Sequence, residues 1–293
     1  MTNTTAMVSC FVRAYHVRNN TQWVFRDELA ERMLTPEEYA AISSHMAEGI
    51  SYFAPNFTGS KEAGLRYIVD HILAPSVLAR SACNARMMER ELAAGCTQYV
   101  SFAAGYDTTG LTYSGANCEV YELDLSELLE DKKRRIQAAG LASDAVFVPC
   151  DLAQADWMDS LCRKGFDVTV HSCGSLLGIS YYLSKAAFGT LLSRIGTLWG
   201  EGSTLCLDYP TQDEGDASRT NRALAKGAGE EMQACYTREE MHALLKQVGF
   251  AVREEYGKEE ADAAFFAAYN AANPVHPMCT PAGVRYCVAE KQG

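Results

Sequence analysis

The sequence predicts an α/β fold, a doubly wound Rossmann-like sheet carried behind an N-terminal helical cap. Three observations lead there. Strand-like apolar runs begin only after about residue 95, and from there they alternate with amphipathic helical stretches. The first run ends in a small glycine-bearing turn, QYVSFAAGYDTTG, residues 98–110. Alternation of this kind makes a parallel sheet covered by helices on both faces, and the turn after its first strand is where such a sheet meets a ligand.

From Thr5 to about Ala94 the pattern is helical, with Met7, Phe11, Ala14 and Tyr15 recurring at helical spacing. In TPEEYAAISSHM, Thr35 stands as N-cap with Glu38 three residues on, a capping box. PSVLARSACNARMMERELAAG is a further helix, closed by Gly95 just past its end. Strands are expected at Tyr99–Phe102, Glu119–Leu123, Ala145–Val148, Val168–His171 and Thr204–Leu207. Helices such as LSELLEDKKRRIQAAG and LSKAAFGTLLSRIGTLW separate them, and the tail adds helix TREEMHALLKQVGF, strand AVREEY, helix EEADAAFFAAYN and strand VRYCVAE. The expected division is a cap over residues 1–95 and a ligand-binding core over 96–293, with the polar, glycine-bearing segment 211–235 as a lid.

Composition narrows the partners. The chain has 26 basic and 37 acidic residues, a net charge of −11, so its field repels nucleic acid and anionic membranes alike. No apolar run approaches the roughly 18 residues of a membrane span. Eleven cysteines occur without a C-x-x-C pair, which suits buried, reduced thiols and a cytoplasmic setting. His276 and Cys279 are too few to argue for a metal, and none is expected.

The opening turn can then be weighed. A dinucleotide fingerprint aligned on it reads Ala103-x-Gly105-x-x-Thr108, with one glycine of three, so classical NAD binding and a nucleotide-dependent oxidoreductase are disfavoured. Gly105 still admits a ligand close to the backbone. The second strand ends in VYELD, offering Glu122 and Asp124 to a ribose diol, and we take Glu122 as its acceptor; the third ends in PCDLAQADW, offering Asp151 to an adenine amine. An adenosyl ligand is the joint reading.

These residues resemble the leucine carboxyl methyltransferase-like branch of the S-adenosylmethionine-dependent methyltransferases, including the polyketide O-methyltransferases of the tetracenomycin type. TAMVSCFVRAYH and VFRDELAERML resemble its N-terminal helices; QYVSFAAGYDTT, VYELDLSELLEDKKRRI, PCDLAQADWMDSL and LLGISYYLSKAAFGTLLSRI followed by GEGSTLCLDY are similar to its later motifs. The resemblance covers almost the whole chain and implies a class I methyltransferase sheet and S-adenosyl-L-methionine as cofactor. It carries cofactor contacts onto Arg80, Ala103, Gly105, Asp107, Glu122, Leu123, Asp151 and Leu152. Where family members often have arginine, this chain has Thr109, Thr112 and Ala82, and Leu177 stands where glutamate is common.

Methyl transfer from a sulfonium is an in-line displacement, so alignment and exclusion of water carry much of the rate. The expected acceptor is a hydroxyl or carboxyl oxygen of a small, polyketide-like molecule. The missing arginines tilt the expectation toward a neutral hydroxyl or phenol, which needs a base. His16 and His171 are the candidate bases, Tyr182 a further catalytic candidate, and Arg13 and Tyr181 candidate acceptor contacts. An adenosyl-binding protein without turnover is the alternative.

Overall fold

The computed structural model describes residues 4–212 and 232–293. The expected lid therefore lies mostly outside the described residues. Seven strands form one sheet: β1 (Gln98–Phe102), β2 (Glu119–Asp124), β3 (Val146–Pro149), β4 (Ser172–Leu176), β5 (Thr204–Pro210), β6 (Phe250–Tyr256) and β7 (Val284–Lys291), in the order β3-β2-β1-β4-β5-β7-β6. The first five run parallel, and β7 is antiparallel to both β5 and β6. Strand order reverses between β1 and β4, the point where such sheets bind ligands.

Ahead of the sheet, α1 (Thr4–Asn19), α2 (Pro36–Glu48), α3 (Ile50–Phe53), α4 (Lys61–Ile68) and α5 (Ala74–Ala93) make the cap. The capping box of α2 forms as expected: Glu38 N donates to Thr35 Oγ1 at 3.2 Å, and Thr35 N donates to Glu38 Oε2 at 2.9 Å. Gly95 ends α5 at φ +90, a left-handed step that any side chain would strain. Within and after the sheet come α6 (Thr109–Thr112), α7 (Ser126–Ala138), α8 (Trp157–Arg163), α9 (Lys185–Leu198), α10 (Arg238–Gln247), α11 (Lys258–Ala261) and α12 (Ala267–Ala272).

Strand alternation sorts the core into two layers. Tyr99, Val120, Cys173 and Cys206 face α1 and α5. Val100, Phe102, Tyr121, Leu123 and Leu207 face the layer of Trp157, Leu161, Leu192 and Ile195 from α8 and α9.

One strand departs from expectation. Val168–His171 forms turns, and β4 begins immediately after, at Ser172. The run VTVH has the better β propensity, but SCGSL is fully buried between β1 and β5. Gly174 fits there because a Cβ would overlap Val100 O and stand 2.9 Å from the Trp199 ring. Pairing and packing override propensity.

Candidate active site

A cavity of about 630 Å³ opens at the carboxyl ends of β1 to β4. The turn after β1 lines it. Ala103 (φ +55) and Gly105 (φ +49) both take left-handed backbone, which costs a non-glycine residue roughly 1–2 kcal/mol. Neighbouring bonds hold the turn: Ala104 N donates to Leu123 O at 3.0 Å, and Gly105 N to Asp124 Oδ2 at 2.8 Å. A Cβ on Gly105 would come 3.3 Å from Ala6 Cβ, so α1 closes directly over the turn. Asp107 also lines the cavity, its Oδ1 accepting from Thr109 N at 2.7 Å. Thr109 and Thr112, which stand where relatives of the resembled family often have arginine, do not line it.

On β2 the structure separates three neighbouring residues. Glu122 lies between the sheet and α7, with Lys132 Nζ 2.6 Å from its Oε2; both side chains are essentially inaccessible. This is a close ion pair whose angle misses hydrogen-bond geometry. Burial pushes the Glu122 carboxyl above the usual carboxylate range, and Lys132 pulls it back. Leu123 points to the opposite face and packs beside Trp157. Neither lines the cavity. Glu122 stops two residues short of the strand end, inside the helix–sheet layer, so the exposed rim belongs to Asp124 and to Leu125 beyond it. Asp124 is raised by burial, with the amides of Gly105 and Leu125 opposing the shift.

Asp151 and Leu152, after β3, do line the cavity. Asp151 Oδ1 accepts from Ala153 N at 2.9 Å. From α9, Arg194 Nη1 reaches the carbonyls of Ala153 and Gln154 at 2.9 and 2.7 Å and fixes this loop. Cys150 is beside them, its thiol pushed up to about 12 by burial and by nearby Asp124, Asp156 and Asp151, so it remains protonated.

The cap contributes a second wall. Arg13 is almost wholly buried and donates through Nε to Asp27 Oδ2 at 2.7 Å, through Nη1 to Ser9 O at 3.2 Å, and through Nη2 to Tyr106 O at 2.7 Å. Asp27 Oδ2 also accepts from Thr108 Oγ1 at 2.8 Å, while its Oδ1 accepts from Ala30 N at 3.0 Å. A charge pair buried this deeply is retained when further hydrogen bonds satisfy both ions. Arg13 thus clamps the cap to the β1 turn while still lining the cavity.

Beyond β4, Leu177, Gly178, Ile179 and Tyr182 line the same cavity. Arg80, from α5, lies against them and donates through Nη2 to Ser9 Oγ at 3.1 Å. Tyr181 does not line the cavity; its hydroxyl donates to Asp208 Oδ2 at 3.0 Å, and burial followed by the Asp208 charge raises its pKa well above the ordinary value. Below, Asn84 Nδ2 donates to Tyr99 OH at 2.9 Å, and Tyr99 OH to Ser175 Oγ at 2.6 Å, bringing a buried polar chain to the cavity floor.

Neither histidine lies at the cavity. His16 is fully buried, packs 5.3 Å from the Tyr269 ring centroid, and accepts from Val24 N at 3.0 Å through Nε2. Burial, with help from Arg66, lowers it to about 4. His171 precedes β4, so it occupies the amino-terminal edge of the sheet, with Nε2 3.1 Å from Glu91 Oε2. The strand shift explains the error: a strand ending at His171 would have delivered it to the ligand edge. Among the described residues no cluster of three or more potential metal ligands occurs, and no helix is long and apolar enough to cross a membrane.

Sequence reasoning did not single out Asp27, Arg194 or Asp208. Asp208 had a signal, an acid at a strand end like Asp124 and Asp151. Asp27 resembled a plain helix cap, and its contacts to Arg13 and Thr108 leave no local trace.

An open sheet that reverses between β1 and β4, with an antiparallel β7 inserted between β5 and β6 and its cavity at the carboxyl edge, has the class I methyltransferase architecture, as solved structures show. The solved structure of a DUF574 family protein from Streptomyces avermitilis superposes with a TM-score of 0.62, at 14% identity over 97% of each chain. Magnesium protoporphyrin IX methyltransferase from Synechocystis, solved with bound SAH, gives a TM-score of 0.50 at 10% identity, over 86% of this chain and 97% of its own. The leucine carboxyl methyltransferase family model matches residues 6–196, and the chain belongs to that family. YktD of Bacillus subtilis, provisionally named an S-adenosyl-L-methionine-dependent methyltransferase, is 29% identical over 276 residues, 89% of this chain and 90% of its own.

Proposed function

We propose that the chain transfers the methyl group of S-adenosyl-L-methionine to an oxygen of a small molecule, and that this oxygen arrives already ionised, as in a carboxylate. Membership of the leucine carboxyl methyltransferase family makes it an S-adenosylmethionine-dependent methyltransferase; the oxygen and its charge are our reading. The observation that carries it is the cavity's composition. Gly105, Asp124 and Asp151 come from three successive strand ends to one cavity, and no histidine lines it among the described residues.

The residues fit the cofactor. Asp124 has carboxylate lone pairs beyond those used by the Gly105 and Leu125 amides, enough to accept from a ribose diol. This moves the ribose role from Glu122 to Asp124. Asp151 would accept from an adenine amine, with Leu125 and Leu152, which line the same cavity, as apolar flanks. Arg80 makes one hydrogen bond among the described residues, so N–H donors remain for the methionine carboxylate. The cofactor supplies an electrophilic methyl on a sulfonium whose positive charge vanishes on transfer. The chain's own part is to align and to keep water out: α1 and Tyr182 wall the cavity, and Arg13 holds that wall on the β1 turn. An ionised acceptor needs no base. Arg13 and Arg194 are the further cations that line the cavity among the described residues.

Calorimetry with S-adenosylhomocysteine against NAD tests the cofactor, followed by a screen pairing aromatic carboxylic acids with matching phenols. Methyl ester formation is expected. Methylation of phenols alone would overturn the acceptor assignment.

A further inference from the structure

One buried carboxylate beside the cavity does not itself line it. Asp208, in β5, is fully buried. Its Oδ1 accepts from Gly178 N at 2.6 Å, its Oδ2 accepts from Tyr181 OH at 3.0 Å, and its backbone oxygen accepts from Ser180 Oγ at 2.7 Å. The same Oδ2 stands 3.7 Å from Arg80 Nη1. One side chain thus ties the loop after β4 to the cation from α5.

The fit around Arg80 is close. Gly178 has φ +69, and a Cβ there would come 2.6 Å from Arg80 Nη1. The guanidinium therefore lies against bare backbone, with Ser9 Oγ on its other nitrogen and Asp208 behind it. The register pairs Leu176 with Leu207, so Asp208 is the β5 neighbour of Leu177. Leu177 brings no carboxylate to the β4 exit, and the adjacent strand brings one instead.

We propose that Asp208 is the positioning residue for Arg80, holding its guanidinium and the loop through Tyr182 in one arrangement before ligand arrives. An arginine side chain loses considerable rotamer freedom when it is pinned by a ligand. A buried carboxylate that pins it beforehand removes that cost from binding. The charge matters as well as the hydrogen bonds, because the Arg80–Asp208 contact is longer than a hydrogen bond yet is shielded from solvent on the Asp208 side. The proposal rests on Arg80 meeting the methionine carboxylate of the cofactor.

The test compares two ligands that differ at that carboxylate: S-adenosylhomocysteine carries it, and 5′-methylthioadenosine lacks it. Arg80→Ala should weaken the first roughly 10- to 100-fold relative to the second, the range for charge-assisted bonds. Asp208→Asn keeps an oxygen for Gly178 N and removes the charge; it should weaken S-adenosylhomocysteine about tenfold through loss of preorganisation and leave 5′-methylthioadenosine within about twofold. In the Arg80→Ala background, Asp208→Asn should no longer move the ratio, and Asp208→Glu in the parent, which keeps the charge, should retain much of it. If Arg80→Ala leaves the ratio unchanged, the assignment of Arg80 fails. If Arg80→Ala moves it while Asp208→Asn weakens both ligands equally, or neither, Asp208 is structural and the positioning role is overturned. Should the Asn variant not fold, Tyr181→Phe and Asp208→Glu carry the test. Both keep the charge beside Arg80 and should leave the ratio within about twofold of the parent; a ratio that falls as far as in Arg80→Ala although the charge is kept overturns the role.

Discussion

The two sides of the cavity are built differently. On the side of β1 to β3 three acids stand at or after strand ends, each bonded to an amide of its own turn or of the neighbouring strand end: Asp107 to Thr109, Asp124 to Gly105 and Leu125, Asp151 to Ala153. On the side of β4 and β5, Arg80 comes from the cap, Ser9 from 71 residues before it, and Asp208 from 30 residues beyond Gly178. The three acids of the first side use the amides of their own turn or of the neighbouring strand end. The second side is made only by folding. Substitutions should therefore act separately on the first side and jointly on the second.

The largest effect expected inside this comparison separates two acids of one strand. Glu122→Ala leaves Lys132 buried without its partner, and removing one member of a buried pair costs about 3–5 kcal/mol of stability. Denaturant unfolding should register that loss. Asp124→Ala should instead weaken S-adenosylhomocysteine by about 1.5–3 kcal/mol, the worth of hydrogen bonds to a charged group, with a much smaller change in unfolding midpoint. If Glu122→Ala folded as stably as the parent and bound the ligand weakly, the ribose role would return to Glu122.

That pair also shows what a sequence makes legible. VYELD announces acids at a strand end, but which one reaches the rim depends on where the strand stops, and one step of register changes the face. The strand runs one residue past Leu123, so Glu122 and Leu123 stay inside the two layers and Asp124 reaches the rim. The same uncertainty displaced His171: a β-branched run beside a Gly- and Ser-rich one points to the wrong strand when burial on both faces does the choosing. What was legible were features decided locally, namely the capping box at Thr35, the glycine after α5, the tight turn at Gly105, and the alternation that gives the fold class. Asp27 and Asp208 act across the chain: the strand end marks Asp208 as an acid at the rim, but nothing adjacent to either residue announces its partners.

A smaller effect concerns the cap alone. The unfolded chain's His16 takes a proton near pH 6.5, while the folded chain's does so only at about 4, because burial and Arg66 disfavour the charged ring. Between those values the unfolded state holds more protons, so stability rises with pH. The contribution is present in full above about pH 6.5 and is lost as pH falls toward 4. Its slope is about 1.4 kcal/mol per pH unit for one proton. His16→Gln, whose amide oxygen can still accept from Val24 N, should remove roughly that slope from unfolding free energies measured across the window. An unchanged slope would mean that His16 titrates alike in both states.

The smallest expected effect is on the chemical step. With an ionised acceptor and no histidine at the cavity, the single-turnover rate at saturating cofactor should stay nearly flat above about pH 5, past an ordinary carboxyl titration. His171→Ala should leave both the rate and its pH profile as they are, since the ring lies at the opposite edge of the sheet from Ser175 and Leu177. The comparison between the two sides gives this its force. The cofactor side carries acids that accept from backbone amides, and the other side carries Arg80 and a fixed loop, so among the described residues no histidine meets the acceptor from either side. A rate that falls with acid through the ordinary histidine range, and that is lost in His171→Ala, would require the β4 edge to be rebuilt during turnover and would restore a neutral hydroxyl acceptor. A flat profile in parent and variant alike leaves alignment by Arg80, Asp124 and the β1 turn as the chain's contribution to the transfer.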